Sequence, residues 1–377
     1  MDASLNKKLE NVQWGEYRLG DLFEIKPTKA YKKTNDQLFD ADGNIPVVTN
    51  SSVNNGVSGY SKMKPTEQGN IITYSDTTTS EGIFYQPYDF IGYSHIQGLY
   101  PKLYKNKWNA STLIFIVVLF KKVAAGRFNY GNKFNRAIAS EFLIHLPTQN
   151  GEIDFEFMES FVAELEAQRV AELEAYLLST GLKDYELTDK EKQVVEDYEN
   201  GRINLIELKV SDIFNVSSSK KRFDANKVEI LTKGYPYVVR TSNNNGIKGY
   251  LNEDINYLNE GNTISFGQDT VTMFYQENPY FTGDKIKILK SKLKNFNKYS
   301  AQYFIGTMSK SFSSFSWGTS SFSEKVINKQ GIFVKVKDNE IDFEYIETLI
   351  SAIQKLVIRD VVIFADRRIE ATKQVID

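Results

Sequence analysis

Short polar side chains gather at several points where an apolar stretch of this 377-residue chain runs into a turn. Their amide, hydroxyl and guanidinium groups can bond phosphate oxygens, and Asn, Gln and Arg can also make paired hydrogen bonds to the base edges of nucleic acids. Turn chemistry alone explains any one isolated cluster, and is favoured there by about two to one. The candidate contact residues are Thr49, Asn50, Ser51, Asn54, Asn55, Tyr74, Asp76, Thr77, Thr78, Lys133, Asn135, Arg136, Arg240, Thr241, Ser242, Asn244, Asn245, Gln268, Asp269, Thr270 and Thr272.

These clusters recur because the chain contains one unit twice. Glu152–Phe157 returns almost unchanged as Glu340–Tyr345, and Asn54–Tyr60 matches Asn244–Tyr250, with an offset that stays between 188 and 193 residues. The stretch Tyr93–Gln97 has no counterpart in the second half. The period is too long for a solenoid, so a lobe followed by a helix is used twice. Recurrence in both halves favours recognition over turn chemistry.

The lobes read as mainly β structure. Their apolar segments are short, aromatic and β-branched, and Asn-Gly and Gly-Asn turns separate them. Aromatic residues make up 13% of the chain. The apolar run Leu113–Phe120 is predicted as a buried strand, and no apolar run reaches the roughly 18 residues that span a bilayer.

A long amphipathic helix follows each lobe. Apolar positions spaced by four and three residues indicate a near-heptad seam, and two such seams in register predict an antiparallel coiled-coil stem. Arg169 is expected to reach a carboxylate across the seam, and Thr188 with Glu191 predicts a capping box for a second, short helix that stops at Gly201. The predicted stem and partner-binding residues are Met158, Val162, Leu165, Arg169, Leu173, Tyr176, Ile346, Ile350, Ile353, Val357, Val361 and Phe364.

The predicted fold class is therefore α+β, with two similar mainly-β domains, long helices pairing as an antiparallel coiled coil, and a pseudo-twofold internal repeat. The predicted boundaries are 1–151 for the first recognition domain, 152–203 for the central spacer helices, 204–339 for the second recognition domain and 340–377 for the C-terminal spacer helix. At 1.5 Å per residue, the first long helix would be a spacer of about 40 Å.

Charge is distributed unevenly along a chain whose net charge is only −2. The two lobes are basic, with net charges of +4 for residues 1–150 and +7 for 204–339, whereas the helical segments carry −10 for 151–203 and −3 for 340–377. Acidic helices are commonly just solvated faces. Two lobes biased in the same direction favour a polyanionic partner.

Cysteine is absent, which excludes disulfides and thiolate chemistry and fits a reducing compartment. No signal peptide or membrane span is predicted, so we expect a cytoplasmic protein without a membrane partner. His95 and His145 cannot form a dense metal cluster, and all eight prolines are isolated, which excludes the Pro-Pro core of amino-methyltransferases. No glycine-rich phosphate loop occurs, and a nuclease-like Asp197 with Glu207 and Lys209 has no equivalent in the first half.

The arrangement resembles the specificity (S) subunit of type I restriction-modification enzymes and of related type IIB systems, over essentially the whole chain. The motifs that carry the resemblance are Asp21–Phe23 and Asp212–Phe214 at the lobe openings, Ile45–Val48 and Tyr235–Val238 with their Asn-Asn-Gly-x-x-Gly-Tyr turns, Gly69–Ile72 with Gly261–Ile264, and a helix after each lobe.

The resemblance implies two target-recognition domains that each read one half of a bipartite, asymmetric DNA site. The helices would pair into a stem that binds modification subunits. Catalysis and the methyl donor would belong to partner chains, so this chain is expected to be no enzyme and to hold no cofactor or metal. Its expected partners are double-stranded DNA and modification (methyltransferase) subunits, with a restriction subunit as a further candidate. The alternative is a free-standing enzyme, either a nuclease or a carbohydrate-active β protein.

Overall fold

The computed structural model describes residues 3–77, 80–128, 133–313 and 322–376. The chain forms two compact units, one of residues 1–173 with 368–377 and the other of residues 174–367. Each unit contains one lobe and parts of the long helices, so the helices are shared between the units. The functional boundaries at residues 151, 203 and 339 stay a prediction.

Short strands dominate both lobes. The strands of the first lobe are β1 (Gln13–Arg18), β2 (Phe23–Pro27), β3 (Ile45–Val48), β4 (Val57–Ser61), β5 (Ile71–Ser75), β6 (Ile83–Gln86), β7 (Ile96–Pro101), β8 (Leu143–Gln149) and β9 (Glu152–Ile153). Those of the second are β10 (Leu205–Lys209), β11 (Phe214–Ser218), β12 (Tyr235–Val238), β13 (Ile247–Leu251), β14 (Thr263–Gly267), β15 (Thr272–Gln276), β16 (Phe281–Thr282), β17 (Ile286–Ser291), β18 (Gly331–Lys337) and β19 (Glu340–Ile341).

Helices support the sheets and follow each lobe. They are α1 (Ala3–Asn11), α2 (Leu19–Leu22), α3 (Asn35–Leu38), α4 (Ala110–Ala124), α5 (Arg136–Ser140), α6 (Phe155–Ser179), α7 (Asp189–Glu199), α8 (Val210–Ile213), α9 (Lys298–Phe312), α10 (Glu324–Lys329) and α11 (Phe343–Ile376). The prediction of a strand over Leu113–Phe120 is wrong, because that run lies within α4. Asn109 caps this helix by accepting a hydrogen bond from the Thr112 backbone at 3.1 Å.

The described strands of the two lobes have the same order in two sheets, and the remaining sheet has one more strand in the second lobe. The first has sheets ordered β1-β8-β9, β2-β7-β5-β6 and β3-β4, and the second has β10-β18-β19, β11-β17-β14-β15 and β13-β12-β16. Among the strands of the described residues, every pair is antiparallel except β12 with β16. The predicted α+β repeat of two mainly-β lobes is thus confirmed.

The same contact ties each lobe to its long helix. Asn109, which caps α4, also donates through Nδ2 to Glu159 of α6 at 2.7 Å. Asn297 caps α9 in the second lobe and donates to Glu347 of α11 at 2.6 Å. The first turns of α6 are part of the first lobe's core, where Met158 is completely buried. The first turns of each long helix are therefore held against the lobe that precedes it.

Ion pairs join α6 and α11. In the first unit Arg368 of α11 lies 3.8 Å from Glu166 of α6. In the second, Lys183, which follows α6, pairs with both Glu174 of α6 and Asp366 of α11. Each of these contacts lies within one unit, so the antiparallel pairing of the full helices stays a prediction. Arg169, however, pairs with Glu172 one turn along its own helix at 2.6 Å, so the prediction that it crosses the seam is wrong.

The predicted seam is only partly buried. Met158, Val162, Ile346 and Ile350 are buried, Leu165 and Leu173 are half-buried, and Tyr176, Ile353, Val357, Val361 and Phe364 are exposed. In the distal halves burial shifts by one position, to Leu177, Val362 and Ala365. A strict heptad drifts by about 20° per repeat on a straight helix, so a seam extrapolated from the first turns rotates away from its partner.

The capping box predicted before α7 is confirmed, and it extends to a different helix. Glu191 accepts hydrogen bonds from the Thr188 backbone at 2.8 Å and from the Ser351 hydroxyl of α11 at 2.7 Å. Lys355 of α11 lies 3.1 Å from Glu191 and 3.0 Å from Asp184. Burial disfavours the charged carboxylate, yet these bonds outweigh it and lower the pKa of Glu191 to about 2. We call this group the α7 clamp.

Candidate nucleic-acid interface

The predicted polar clusters meet at one edge of each lobe, beyond the carboxyl ends of two strands. In the first lobe the hydroxyl of Ser75, at the end of β5, donates to Oδ1 of Asn50, just after β3, at 2.9 Å. In the second lobe Arg240, after β12, pairs with Asp269, after β14. Turns that are separate in sequence therefore form one surface in each lobe. We call these surfaces edge 1 and edge 2.

Edge 1 carries mostly neutral hydrogen-bonding groups around one carboxylate. Asp76 lies 3.1 Å from Nδ1 of His95 and accepts a hydrogen bond from Nε2 of Gln97 at 2.8 Å. Thr77 bonds Ser75 at 3.0 Å between the two hydroxyls. The His95 side chain is more than half exposed, so it is presented to solvent while Asp76 orients it.

Edge 2 carries more charged side chains than edge 1, both cations and carboxylates. Asp269 pairs with Lys285 at 2.8 Å and with the Arg240 guanidinium, and these two cations lower the pKa of its carboxyl below the usual value. A cleft of about 830 Å³ opens beside them, lined by Arg222, Lys248 and Arg240 and also by Asp224 and Asp284. Its arginine and lysine side chains can donate hydrogen bonds to the acceptor groups of a nucleic acid.

The aromatic wall of this cleft comes from the second lobe's core. Phe223 and Tyr237 line it, and the buried Tyr237 hydroxyl donates to the Phe223 carbonyl at 2.7 Å. Asp284 at the rim holds Arg222 at 2.9 Å. The polar group of the wall is thus already bonded within the protein, whereas the rim side chains are exposed.

Main-chain hydrogen bonds show that the two edges occupy equivalent positions. Asp76 N donates to His95 O and Gln268 N donates to Lys285 O, both at 3.0 Å. His95 and Lys285 both have a left-handed backbone, with φ values of 66° and 56°. The stretch around His95, without a counterpart in sequence, therefore has one in the structure. Sequence reasoning missed Lys285 because its side chain differs while its backbone position is the same.

Tyr74 was predicted to contact nucleic acid, and this prediction is wrong. Its ring is 1% exposed and packs against Phe120 and Phe134 with centroid separations of 5.6 and 4.5 Å. Burial raises the pKa of its hydroxyl well above the usual value. β5 is covered on this face, so a tyrosine pointing there belongs to the core.

The paired asparagines of the turns belong to the scaffold. Nδ2 of Asn55 donates to the Tyr85 carbonyl at 2.8 Å, and Nδ2 of Asn245 donates to the Tyr275 carbonyl at 3.0 Å. Both residues have φ of 54°, which asparagine tolerates better than other side chains with a Cβ. Asn54 and Asn244 likewise bond main-chain carbonyls at 3.0 Å. Their recurrence therefore reflects shared turns, and the predicted base contacts of their amides are not supported.

The other predicted residues are exposed, lie at the start of α5, or bond neighbouring groups. Lys133, Ser242 and Thr270 are exposed, Asn135 caps α5, and Arg136 opens that helix on the exposed side. Thr49 bonds Ser58, Ser51 bonds Val53, Thr241 accepts from Asn243, Gln268 donates to the Phe322 carbonyl, and Thr270 bonds Thr272. Thr78 lies outside the described residues.

In the described part of the chain, no group of three or more His, Cys, Asp or Glu side chains is placed to hold a metal ion. The acid of the nuclease-like motif, Asp197, forms an ion pair with Arg202 at 2.9 Å. Over the same residues, no helix has both the length and the apolar character needed to cross a bilayer.

Comparison with known families decides the relationship. The model of the type I restriction modification DNA specificity domain matches residues 11–175 and again residues 205–361. The chain belongs to this family. The two matched segments coincide with the two lobe-plus-helix units, so the internal repeat is a repeat of the family's domain.

Individual relatives agree with this assignment. The specificity subunit S.BcgI of a type II restriction enzyme from Heyndrickxia coagulans is 28% identical over 166 residues, which are 42% of this chain and 46% of the relative. That match thus spans about half the length of the curated relative. The S subunit of a type I system from M. genitalium has a similar fold, with a TM-score of 0.58 at 14% identity over 97% of this chain and 94% of the other.

Proposed function

We propose that this chain is the noncatalytic subunit that gives a restriction-modification complex its DNA sequence specificity. Two copies of the family's DNA specificity domain in one chain are the observation that carries the proposal. Methyl transfer, and any cleavage, are the work of partner subunits. The complex acts in the cytoplasm, where it meets DNA.

Each lobe reads one half of a bipartite site through its own edge. The edges lie at equivalent strand ends but present different groups, with Asn50, Asp76 and His95 in the first lobe and Arg240, Asp269 and Lys285 in the second. Equal scaffolds place the reading groups similarly, and unequal side chains select different bases. The two half-sites therefore differ in sequence, and the whole site is not palindromic.

The helices dock modification subunits. Ile353, Val357 and Val361, together with Leu356, form an apolar stripe on α11, and their exposure ranges from 39% to 75%. Exposed apolar stripes mark protein interaction sites more often than ordinary surface. Residues 151–203, which contribute α6 and α7, are acidic, and this disfavours binding of that segment to DNA. We call Ile353, Leu356, Val357 and Val361 the α11 stripe.

Co-expression tests the proposal. Cells would carry the chain with a methyltransferase subunit of the same system, the methyltransferase subunit alone, or the chain alone, and methylated bases would be mapped across the genome. We expect methylation of one defined sequence only when both proteins are present. Methylation of that sequence by either protein alone would show that this chain does not supply specificity to a separate catalytic subunit.

A further inference from the structure

Edge 2 contains an arginine whose surroundings differ from those of the other cations in the cleft. Arg240 is held by Asp269, and its side chain is 31% exposed, whereas Arg222 at the rim is 70% exposed. Asp269 is in turn fixed by Lys285. Arg240 is therefore oriented, before any ligand arrives, by a carboxylate that is itself held in place, as a group that reads a specific shape should be.

We propose that Arg240 is a specificity-determining residue of the second lobe, which reads a guanine in one half-site, with Asp269 as its positioning residue. This inference rests on the proposed function and extends it to a particular side chain and base. The planar guanidinium can donate two parallel hydrogen bonds to O6 and N7 of guanine, the commonest specific contact of arginine in the major groove.

The carboxylate beside Arg240 favours a base over a phosphate. A phosphate placed against Arg240 would also approach the negatively charged Asp269, and like charges at short range repel. The edge of a guanine is uncharged, so this repulsion is small. Lys248, which is exposed and lines the same cleft, is better placed to contact the backbone, because Arg222 is itself paired with Asp284 at 2.9 Å. The cleft thus combines one arginine that reads a base with a more exposed lysine that contacts the phosphates.

Comparison of the lobes supports the assignment. The Thr49 backbone donates to the Gly56 carbonyl and the Val239 backbone donates to the Gly246 carbonyl, both at 2.8 Å. The next residue in each lobe is the one that reaches the strand-end cluster, Asn50 in the first and Arg240 in the second. This equivalent position carries an amide in one lobe and a guanidinium in the other. A change of side chain at a fixed backbone position is what different half-sites require.

The test uses the assembled complex of this chain with its methyltransferase subunit. Binding would be measured against duplexes in which every base pair of both half-sites is replaced in turn. For the natural chain we expect loss of one guanine to weaken binding by about 10- to 100-fold. Arg240→Lys keeps the charge and the ion pair but loses the two parallel donors of the guanidinium. The affinities for guanine and for the other bases at that position should then differ by no more than about threefold, while the preferences at all other positions stay unchanged.

Two further variants separate reading from positioning and from charge. Asp269→Asn should reduce the preference at the same base pair only, and Asp269→Glu should restore much of it. Lys248→Gln is the matched control in the same cleft. This variant should weaken binding to all sequences by the same factor. The slope of log K against log salt concentration should become shallower by about one, and the preference at each base pair should not change.

The outcomes are distinct. A uniform loss of binding in Arg240→Lys, with every preference intact, would make Arg240 a phosphate contact and overturn the inference, and so would unchanged binding. Relaxed preference in the other half-site would also overturn it. If the natural complex itself discriminates between none of the duplexes, the proposed function fails, and that result is separate from the behaviour of Arg240.

Discussion

The α7 clamp allows a quantitative prediction for Glu191→Gln. The substitution keeps the size of the side chain but removes the charge that faces Lys355 at 3.1 Å and accepts hydrogen bonds from Thr188 and Ser351. Lowering the pKa from the ordinary 4.5 to about 2 corresponds to about 3 kcal/mol at 1.36 kcal/mol per unit. Lys355 keeps its pair with Asp184 after the change, so we expect a loss of about 2–3 kcal/mol.

Hydrogen exchange followed by mass spectrometry measures this loss locally, because a chain with two compact units need not unfold in one step. Amides of α7 in Glu191→Gln should exchange about 30- to 150-fold faster than in the natural chain at pH 7. Glu199→Gln is the control, since Glu199 is an exposed carboxylate at the end of the same helix. For this control, the free energy of opening obtained from the exchange rates should differ from that of the natural chain by no more than about 0.5 kcal/mol, as is usual for surface substitutions.

The sign of the pH dependence follows from the lowered pKa. The contribution of Glu191 is fully present above the unfolded-state pKa near 4.5 and is lost as pH falls through about 2. The natural chain and Glu191→Gln, compared at the same pH, should therefore converge between pH 4.5 and 2. Equal exchange of Glu191→Gln and Glu199→Gln at pH 7 would refute the clamp.

Three further predictions concern the stripe, the lobes and the turns. Val357→Lys should weaken assembly with the methyltransferase subunit at least tenfold in a pull-down titration yet leave thermal stability unchanged, and Arg359→Glu, about half a turn away, should affect assembly less. Exchange of residues 204–339 for the corresponding lobe of a relative should change one half of the methylated site, and a change in both halves would contradict separate reading. Asn245→Gly should cost about 1 kcal/mol through its lost amide bond, and Asn245→Ala about 1 kcal/mol more through backbone strain, measured by hydrogen exchange of the amides of the second lobe.

Local signals in the sequence predicted much of the fold. The capping box of Thr188 and Glu191 uses neighbours within one turn, so it is visible in the sequence and is confirmed. Glu191 also bonds Ser351 and Lys355, which lie 160 and 164 residues away in the sequence, and no local sequence signal predicts these bonds. The exposed Val357 shows the same limit, because heptad spacing predicts a seam but cannot say which turns a neighbour covers.

The candidate interface was predicted less completely. Arg240 and Asp269 lie in separate turns of the sequence, and the structure brings them into contact. Asn55 and Asn245 recur in the two halves, yet their recurrence follows equally from a shared turn that needs an amide at a left-handed position. Lys285 was overlooked because its equivalence to His95 lies in the backbone rather than in the side chain.

Genome-wide mapping of methylated bases in cells that carry this chain with its methyltransferase subunit tests the central claim most directly. We expect a single bipartite, non-palindromic sequence with an unread spacer. Arg240→Lys should relax one base pair in one half of it, while the other half stays as it was. A continuous palindrome, or the same methylated sites in cells that lack this chain, would contradict the account.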